Sequence, residues 1–274
     1  MGSSIGRRGR RAFALALGVS FAVLPCVASQ DAEIQIAHHQ LRLGETAVEV
    51  VISERPGSKH LFCNLHDDEN TGVEAGLTAL RRSGGRLVEL QHGGMRHISF
   101  RLDGETFVVD PNRIFTTEGA RRTLAKLSRR TMEAERAVER FAKDLLSVYA
   151  IERADVVIAL HNNTEGQYSA LSYDKGGVFA SDASAVFIKD GSDPDDFFFV
   201  TETAVFDALR RRGYNVVLQD NRRGTDDGSL SVYCGRAGVR YINVEAQQGH
   251  LEQQVAMILA LQGVLEELGQ ARSR

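Results

Sequence analysis

Short apolar runs alternate with longer amphipathic stretches along most of this 274-residue chain. The short runs are rich in β-branched residues and bounded by turn residues, whereas the longer stretches repeat their apolar positions at helical spacing. Strands are predicted at 33–41, 47–52, 59–65, 86–91, 95–102, 106–109, 155–160, 214–218 and 239–244. Helices are predicted at 72–82, at 118–150 with a break near 128–129, and at 201–212, 228–235 and 251–268. This alternation predicts a single α/β domain with a mixed, mainly parallel central sheet flanked by helices and an antiparallel edge.

Three local patterns refine this prediction. Gly44 and Glu45 separate the first two strands, so those strands should form a hairpin. The strand at 59–65 is apolar at its centre, which favours a position inside the sheet. The helix at 228–235 should begin after Asp227. Between 165 and 200 the pattern gives way to Gly, Ser and Asp, and loops of that length are usually functional or disordered.

The first 29 residues differ in kind from the rest of the chain. Four arginines precede an apolar run at 12–24, and small residues follow at 27–29. This order is typical of a secretory signal peptide, and the apolar run is too short for a convincing membrane span. The segment around Arg10 and Arg11 also resembles a twin-arginine export signal. We therefore predict a signal peptide at 1–29, a catalytic domain at 30–274, and a periplasmic or secreted protein.

Charge and cysteine content narrow the class of protein further. The signal segment carries four arginines and no acidic residue, so its removal shifts the formal net charge from −3 to −7, which speaks against nucleic-acid binding. No other segment is long and apolar enough to predict a membrane span. Cys63 and Cys234 remain after cleavage. Their apolar surroundings favour buried free thiols, while one disulfide is the alternative in an exported protein.

Three predicted strands are followed by residues that can bind a metal ion or transfer a proton. His66 and Glu69 follow the strand that begins at Lys59, His161 follows a later strand, and Glu245 follows the last one. In open α/β sheets, sites form outside the carboxyl ends of the strands, so these residues should meet at one edge. Two imidazoles and a carboxylate are a ligand set that zinc accepts. The His-x-x-Glu pair alone is a weak signal, because a solvated histidine and a glutamate at a helix N-terminus would look the same.

This order of residues resembles the zinc carboxypeptidases and their deacylase relatives, the succinylglutamate desuccinylase/aspartoacylase group. Those proteins have a His-x-x-Glu pair after a strand, a third histidine that ends a later strand, and a catalytic glutamate near the C-terminus. The matching positions here are His66, Glu69, His161 and Glu245. The turn at 110–115 is similar to the deacylase version of the family's clamp for a substrate carboxylate, carried by Asn112 and Arg113.

The sequence departs from the family pattern at two places. Members usually have an aspartate two residues before the third histidine, where this chain has Ala159. Asp67 and Asp68 make the His-x-x-Glu segment more acidic than the common pattern. These departures leave the substrate class the least constrained part of the resemblance.

The resemblance implies one zinc ion per chain, bound by His66, Glu69 and His161, and Glu245 as the base that activates water. Asn112 and Arg113 would hold a substrate carboxylate. The implied reaction is hydrolysis of an amide next to a free carboxylate, in a peptide or in an N-acyl amino acid. Export favours peptides, cell-wall peptides included. The alternative from another class is a non-catalytic relative that binds zinc or another ligand, and retention of the glutamate base argues against it.

Several residues near these motifs keep two interpretations. Arg101 is either a second arginine that polarises the scissile carbonyl or, as its strand favours, a solvated side chain. A phenol that closes over the substrate could come from any of three tyrosines, which are Tyr168, Tyr173 and Tyr241. The remaining histidines are expected at the surface or in satisfied positions, and they are His38, His39, His60, His92, His97 and His250.

Overall fold

A nine-stranded sheet forms the centre of the computed structural model, which describes residues 1–2 and 33–272. Apart from its first two residues, the predicted signal peptide at 1–29 lies outside these ranges, and so does its predicted boundary. The strands are β1 Gln35–Leu43, β2 Thr46–Arg55, β3 His60–Asn64, β4 Gly85–Gln91, β5 Ile98–Leu102, β6 Glu105–Val109, β7 Val156–Asn163, β8 Ala183–Phe187, β9 Phe197–Val200, β10 Val216–Gln219 and β11 Tyr241–Gln247. The helices are α1 Asn70–Ser83, α2 Thr117–Leu127, α3 Met132–Tyr149, α4 Thr203–Arg211, α5 Leu230–Ala237 and α6 Leu251–Arg272.

Strand order explains where a site can form. The sheet runs β1-β2-β4-β3-β7-β11-β9-β10-β8, and β5 pairs with β6 in a separate two-stranded sheet. The four strands β4, β3, β7 and β11 are parallel neighbours, whereas β2 and β9 flank them in the antiparallel sense. The predicted α/β fold with a mixed sheet and a parallel centre is therefore confirmed, and β3 is an interior strand as expected.

Alternate residues of the central strands pack on opposite faces of the sheet, as the period of a strand requires. On β3, Cys63 belongs to the apolar cluster that includes α2 and α3, while Phe62 belongs to the cluster that includes α1, α4 and α6. All eight residues of β7 are buried. A fully buried large apolar side chain contributes about 1.5–3 kcal/mol, so two covered faces hold the central strands firmly.

Two strands extend further than the sequence pattern predicts. His161 and Glu245 were expected to follow their strands, but β7 continues to Asn163 and β11 to Gln247. The ladder between them pairs His161 with Glu245 and goes on through two more residue pairs. Polar side chains ended the apolar pattern without ending the backbone hydrogen bonds, because each strand has a neighbour on both sides.

The region from 165 to 200 holds more regular structure than predicted. It contains β8 and β9, which lie beyond β11 in the sheet. β9 pairs antiparallel with β11, and β8 pairs antiparallel with β10. The predicted helix at 228–235 begins instead at Leu230, because the Ser229 side chain, not Asp227, caps it by accepting a hydrogen bond from Val232 N. The predicted helix break near 128–129 is confirmed, with α2 ending at Leu127.

Other local predictions agree with the structure. β1 and β2 form the expected antiparallel hairpin, and Gly44 in its turn has φ +60°. A side chain there would meet the carbonyl oxygen of Arg101 at 2.4 Å, so the turn requires glycine. Cys63 and Cys234 are buried free thiols. Among the described helices, none combines the length and apolarity needed to cross a membrane.

Candidate metal and catalytic site

The three predicted ligands converge at the carboxyl edge of the parallel strands. His66 follows β3, Glu69 immediately precedes α1, and His161 lies near the end of β7. His66 Nδ1 is 2.9 Å from Glu69 Oε1, and His161 Nδ1 is 2.8 Å from Glu69 Oε2. All three side chains are buried, and their ligand atoms lie within 4.8 Å of one another. Two imidazole nitrogens facing one buried carboxylate fit a zinc ion by their chemistry and by their convergence.

The carboxylates of this cluster already stabilise one cation, the protonated side chain of His66. Burial raises the pKa of Glu69, but His66 and His161 outweigh burial and hold that pKa well below its usual range. Burial lowers the pKa of His66, but the carboxylates of Glu69 and Asp110 outweigh it and raise the pKa to about 9. Burial keeps the pKa of His161 below its usual value. A zinc ion would therefore replace a proton on His66, as metal ions generally do at such ligands.

In both His66 and His161, the ring nitrogen that faces away from Glu69, Nε2, also has a partner. His66 Nε2 lies 2.9 Å from Asp110 Oδ1, and since a carboxylate accepts, Nε2 donates and Nδ1 is turned toward Glu69. His161 Nε2 lies 3.2 Å from Asn112 Nδ2, and since an amide nitrogen donates, this Nε2 accepts and the His161 proton is on Nδ1, facing Glu69. An acceptor such as Asp110 is the kind of partner that orients a metal-binding imidazole. Asn112, from the predicted carboxylate clamp, thus contacts His161 of the candidate metal cluster.

Glu245 lies beside this cluster on β11, opposite His161 in the parallel ladder. Its side chain is 4% exposed, and its Oε2 accepts a hydrogen bond from Asn243 Nδ2 at 3.0 Å. Burial and the nearby negative charge of Glu69 raise its pKa to about 8. A carboxylate with a raised pKa is a more effective proton acceptor near neutral pH than an exposed glutamate.

Arg96 is a member of the site that the sequence interpretation missed. It lies in the loop after β4, and its Nη1 is 2.5 Å from Glu69 Oε1. Arg101, the candidate second arginine, is exposed on β5 and contacts the carbonyl oxygen of Gly104, in agreement with its solvated interpretation. The sequence signal that could have identified Arg96 is its position just after β4. Because β4 is a parallel neighbour of β3, its carboxyl end meets the same edge of the sheet.

The clamp residues lie on a 3₁₀ turn at Pro111–Arg113, where Asp110 Oδ1 accepts from Asn112 N at 2.8 Å. Asn112 Oδ1 accepts from Leu230 N, so both polar atoms of this side chain have protein partners. Arg113 Nη1 donates to its neighbour's carbonyl at 2.7 Å, and its Nε lies 3.5 Å from Asp227 Oδ2. The Arg113 side chain as a whole is 39% exposed.

Close packing holds Asp227 opposite Arg113. Gly228, with φ +78°, follows Asp227, and a side chain on it would meet the Arg113 carbonyl oxygen at 2.5 Å and the Gly119 Cα at 2.4 Å. Phe115 N also donates to the Gly228 carbonyl at 2.9 Å. The loop that follows β10 is therefore held against the start of α2.

The tyrosine candidates fall into two groups. Tyr168 and Tyr173 share a hydrogen bond of 2.6 Å between their hydroxyl oxygens and pack against Phe179 and Phe197 in edge-on and tilted arrangements. Tyr241 is 2% exposed in the apolar core, where a substrate could not reach it without unpacking the domain. Among the other histidines, two depart from the expectation, because they are half-buried and lack hydrogen bonds of ordinary geometry in the described structure at Nδ1 of His60 and at both ring nitrogens of His92.

Comparison with known proteins found similar solved structures at low sequence identity. No family model matches the chain, and no curated protein matches it. Similar solved structures include the product-bound ectoine utilization protein EutE (DoeB) from Ruegeria pomeroyi, with 14% identity, a TM-score of 0.47, and 90% of this chain and 70% of that chain covered.

Two other solved structures are similar to this chain. Succinylglutamate desuccinylase/aspartoacylase from Rhodobacter sphaeroides has 13% identity and a TM-score of 0.43, covering 89% of this chain and 69% of that one. Murein-tripeptide amidase MpaA from Escherichia coli O157 has 11% identity and a TM-score of 0.46, covering 88% and 96%. The name of the first of these two is that of the group that the sequence motifs resemble.

Proposed function

We propose that this chain is a zinc-dependent hydrolase that cleaves an amide bond next to a free carboxylate, with one zinc ion per chain. The observation that supports the proposal is the convergence of His66, Glu69 and His161 beside the buried carboxyl group of Glu245. A degenerate binding module would have no chemical need for that base. When bound, zinc would supply a Lewis acid that makes water acidic enough to ionise near neutral pH.

The protein groups around it would do the remaining work. Glu245 would accept the proton of the attacking water and return it to the departing nitrogen. Arg96, whose side chain is 47% exposed at the same cluster, would face the carbonyl oxygen as negative charge develops there. Asp110 would keep His66 oriented throughout, because its carboxylate accepts from Nε2.

Substrate choice would depend on Arg113. Its planar guanidinium can bind a carboxylate through two parallel hydrogen bonds, and the stiff turn after Pro111 presents it to solvent. We propose peptides with a free C-terminal carboxylate as substrates, cell-wall peptides among them. This choice follows from the predicted export signal and the periplasmic or secreted location that it implies.

A hydrolysis screen tests the proposal. Purified protein would be offered C-terminally varied peptides and N-acyl amino acids, with and without a chelator, and its metal content measured by elemental analysis. We expect near-stoichiometric zinc and chelator-sensitive release of the C-terminal residue. Absence of any transition metal after purification without chelators would contradict the zinc site. Turnover confined to N-acyl amino acids would replace the peptidase assignment with a deacylase.

A further inference from the structure

Two buried side-chain amides lie behind the candidate site and take no part in the proposed chemistry. Asn162 follows His161 on β7, and Gln254 lies in the first turn of α6. Asn162 is 7% exposed and Gln254 is fully buried. A buried amide is costly unless its polar atoms find partners, so the contacts of these two side chains indicate what they are for.

Gln254 connects the strand of the third ligand with the strand of the base. Its Nε2 donates to the carbonyl oxygen of His161 at 3.0 Å and to that of Val244 at 3.2 Å. Its Oε1 accepts from Asn162 Nδ2 at 3.0 Å. One side chain on α6 therefore holds the backbone of His161 and the peptide unit that leads into Glu245.

Asn162 extends the connection to the segment that carries the other two ligands. Its Oδ1 accepts from Gly72 N at 2.9 Å, in the first turn of α1 directly after Glu69. Its Nδ2 also donates to the carbonyl oxygen of Ala246 at 3.3 Å. Through the two amides, β7, β11, α1 and α6 share one buried hydrogen-bond network.

We infer that Asn162 and Gln254 are a positioning pair, which sets the spacing between the His66–Glu69 segment, His161 and Glu245. The inference rests on the proposed function, since it assigns these residues as metal ligands and base. The parallel ladder joins β7 to β11 but does not include α1. The hydrogen bond from Gly72 N to Asn162 joins the start of α1 to β7, in addition to the one from Asn64 Nδ2 to the Glu69 carbonyl oxygen. Small displacements matter here, because metal affinity depends strongly on the groups that orient the ligands.

Helix α6 offers a matched control for the test. Gln262 is also buried, at 6% exposed, and its Nε2 donates to Ser83 Oγ at 2.6 Å, at the far end of α1. Gln254→Met and Gln262→Met each replace one buried amide on the same helix with an apolar side chain of similar size. Thermal unfolding would report the loss of stability common to both. Competition with a chromogenic chelator would report zinc affinity, and the visible spectrum of the cobalt-substituted protein would report ligand geometry.

We expect both variants to unfold at lower temperature, and only Gln254→Met to lose about tenfold or more in zinc affinity and to show an altered cobalt spectrum. Gln254→Asn and Gln262→Asn, which shorten the amide by one methylene, serve if the methionine variant does not fold. Equal zinc affinity and identical spectra in the Gln254 and Gln262 variants would overturn the positioning role while leaving the proposed function intact. Failure of the wild-type protein to bind zinc would overturn both.

Discussion

The Glu69 carboxylate contacts three other side chains of the candidate site through its two oxygen atoms. Its Oε1 is shared by His66 and Arg96, and its Oε2 faces His161. The carboxylate is buried and its pKa is well below the usual range, so it is an anion matched by the cationic groups around it. The proposed roles in metal binding, proton transfer and substrate binding fall on different side chains, so single substitutions can separate them.

Glu245→Gln tests proton transfer. The amide keeps the shape of the side chain but cannot accept a proton, so turnover should fall by roughly 10²–10⁴-fold. Zinc content and the thermal midpoint should stay close to wild type, as elemental analysis and circular dichroism would show. Near-full activity in this variant would place the base on another residue.

Arg113→Ala tests the carboxylate clamp. A charge-assisted hydrogen bond to a substrate is worth about 1.5–3 kcal/mol, so wild type should prefer a free C-terminal acid over the amidated peptide by about tenfold or more. The preference should vanish in the alanine variant, as kcat/KM for the two peptides would show.

Two further variants sharpen this test. Arg113→Lys keeps the charge but loses the bidentate geometry, so it should be impaired almost as much as the alanine variant. Arg101→Ala removes an exposed arginine from β5 and should leave the preference unchanged. If wild type cleaves acid and amide equally well, Arg113 has a structural role and the enzyme does not recognise a carboxylate.

At the scale of elements, the loop from 92 to 97 decides where Arg96 lies. Asp67 Oδ2 accepts from His92 N at 2.5 Å and from Gly94 N at 2.7 Å, and so ties this loop to the His-x-x-Glu segment. The unusual acidity of that segment, noted from the sequence, thus has a structural reason at one of its two aspartates. Asp68 is exposed.

Asp67→Ala should release the loop and misplace Arg96. We expect kcat/KM to fall by about tenfold or more, because small shifts of a group that stabilises the transition state are costly. Zinc affinity should change little, since Asp67 contacts none of the ligand atoms in the described structure. Asp68→Ala removes the adjacent exposed carboxylate and should match wild type. Equal effects of the two substitutions would show that loop anchoring is not needed for activity.

At the scale of the whole molecule, the proposed metal ligands lie on the start of α1 and on the centre of the sheet, so metal binding should stabilise the fold. Zinc at 100 times its dissociation constant should add about 2.7 kcal/mol to the free energy of unfolding. For a domain of this size that corresponds to roughly 5–10 °C in the thermal midpoint. His161→Gln should abolish the shift. His97 is a half-buried histidine outside the cluster, so His97→Gln should retain the shift. No zinc-dependent shift in wild type would contradict a buried metal site.

Much of the architecture follows from local patterns in the sequence. The apolar runs of β3, β7 and β11 predict parallel interior strands, and parallel strands bring their carboxyl ends to one edge. That rule alone places His66, His161 and Glu245 together, although their functional roles remain predictions. The pattern failed between 165 and 200, where β8 and β9 are only five and four residues long and lie among Gly, Ser and Asp, which leaves little periodicity to mark them.

By itself, therefore, the sequence determined the α/β class, the central strands and the residues delivered by their ends, because each of these depends on neighbours close along the chain. Only the tertiary structure decided which distant groups support them. Arg96 meets Glu69 across 27 residues, Asp110 meets His66 across 44, and Gln254 meets His161 across 93. Such hydrogen bonds leave no periodic trace, since one polar side chain at a single position reads the same whether it faces solvent or a buried carbonyl.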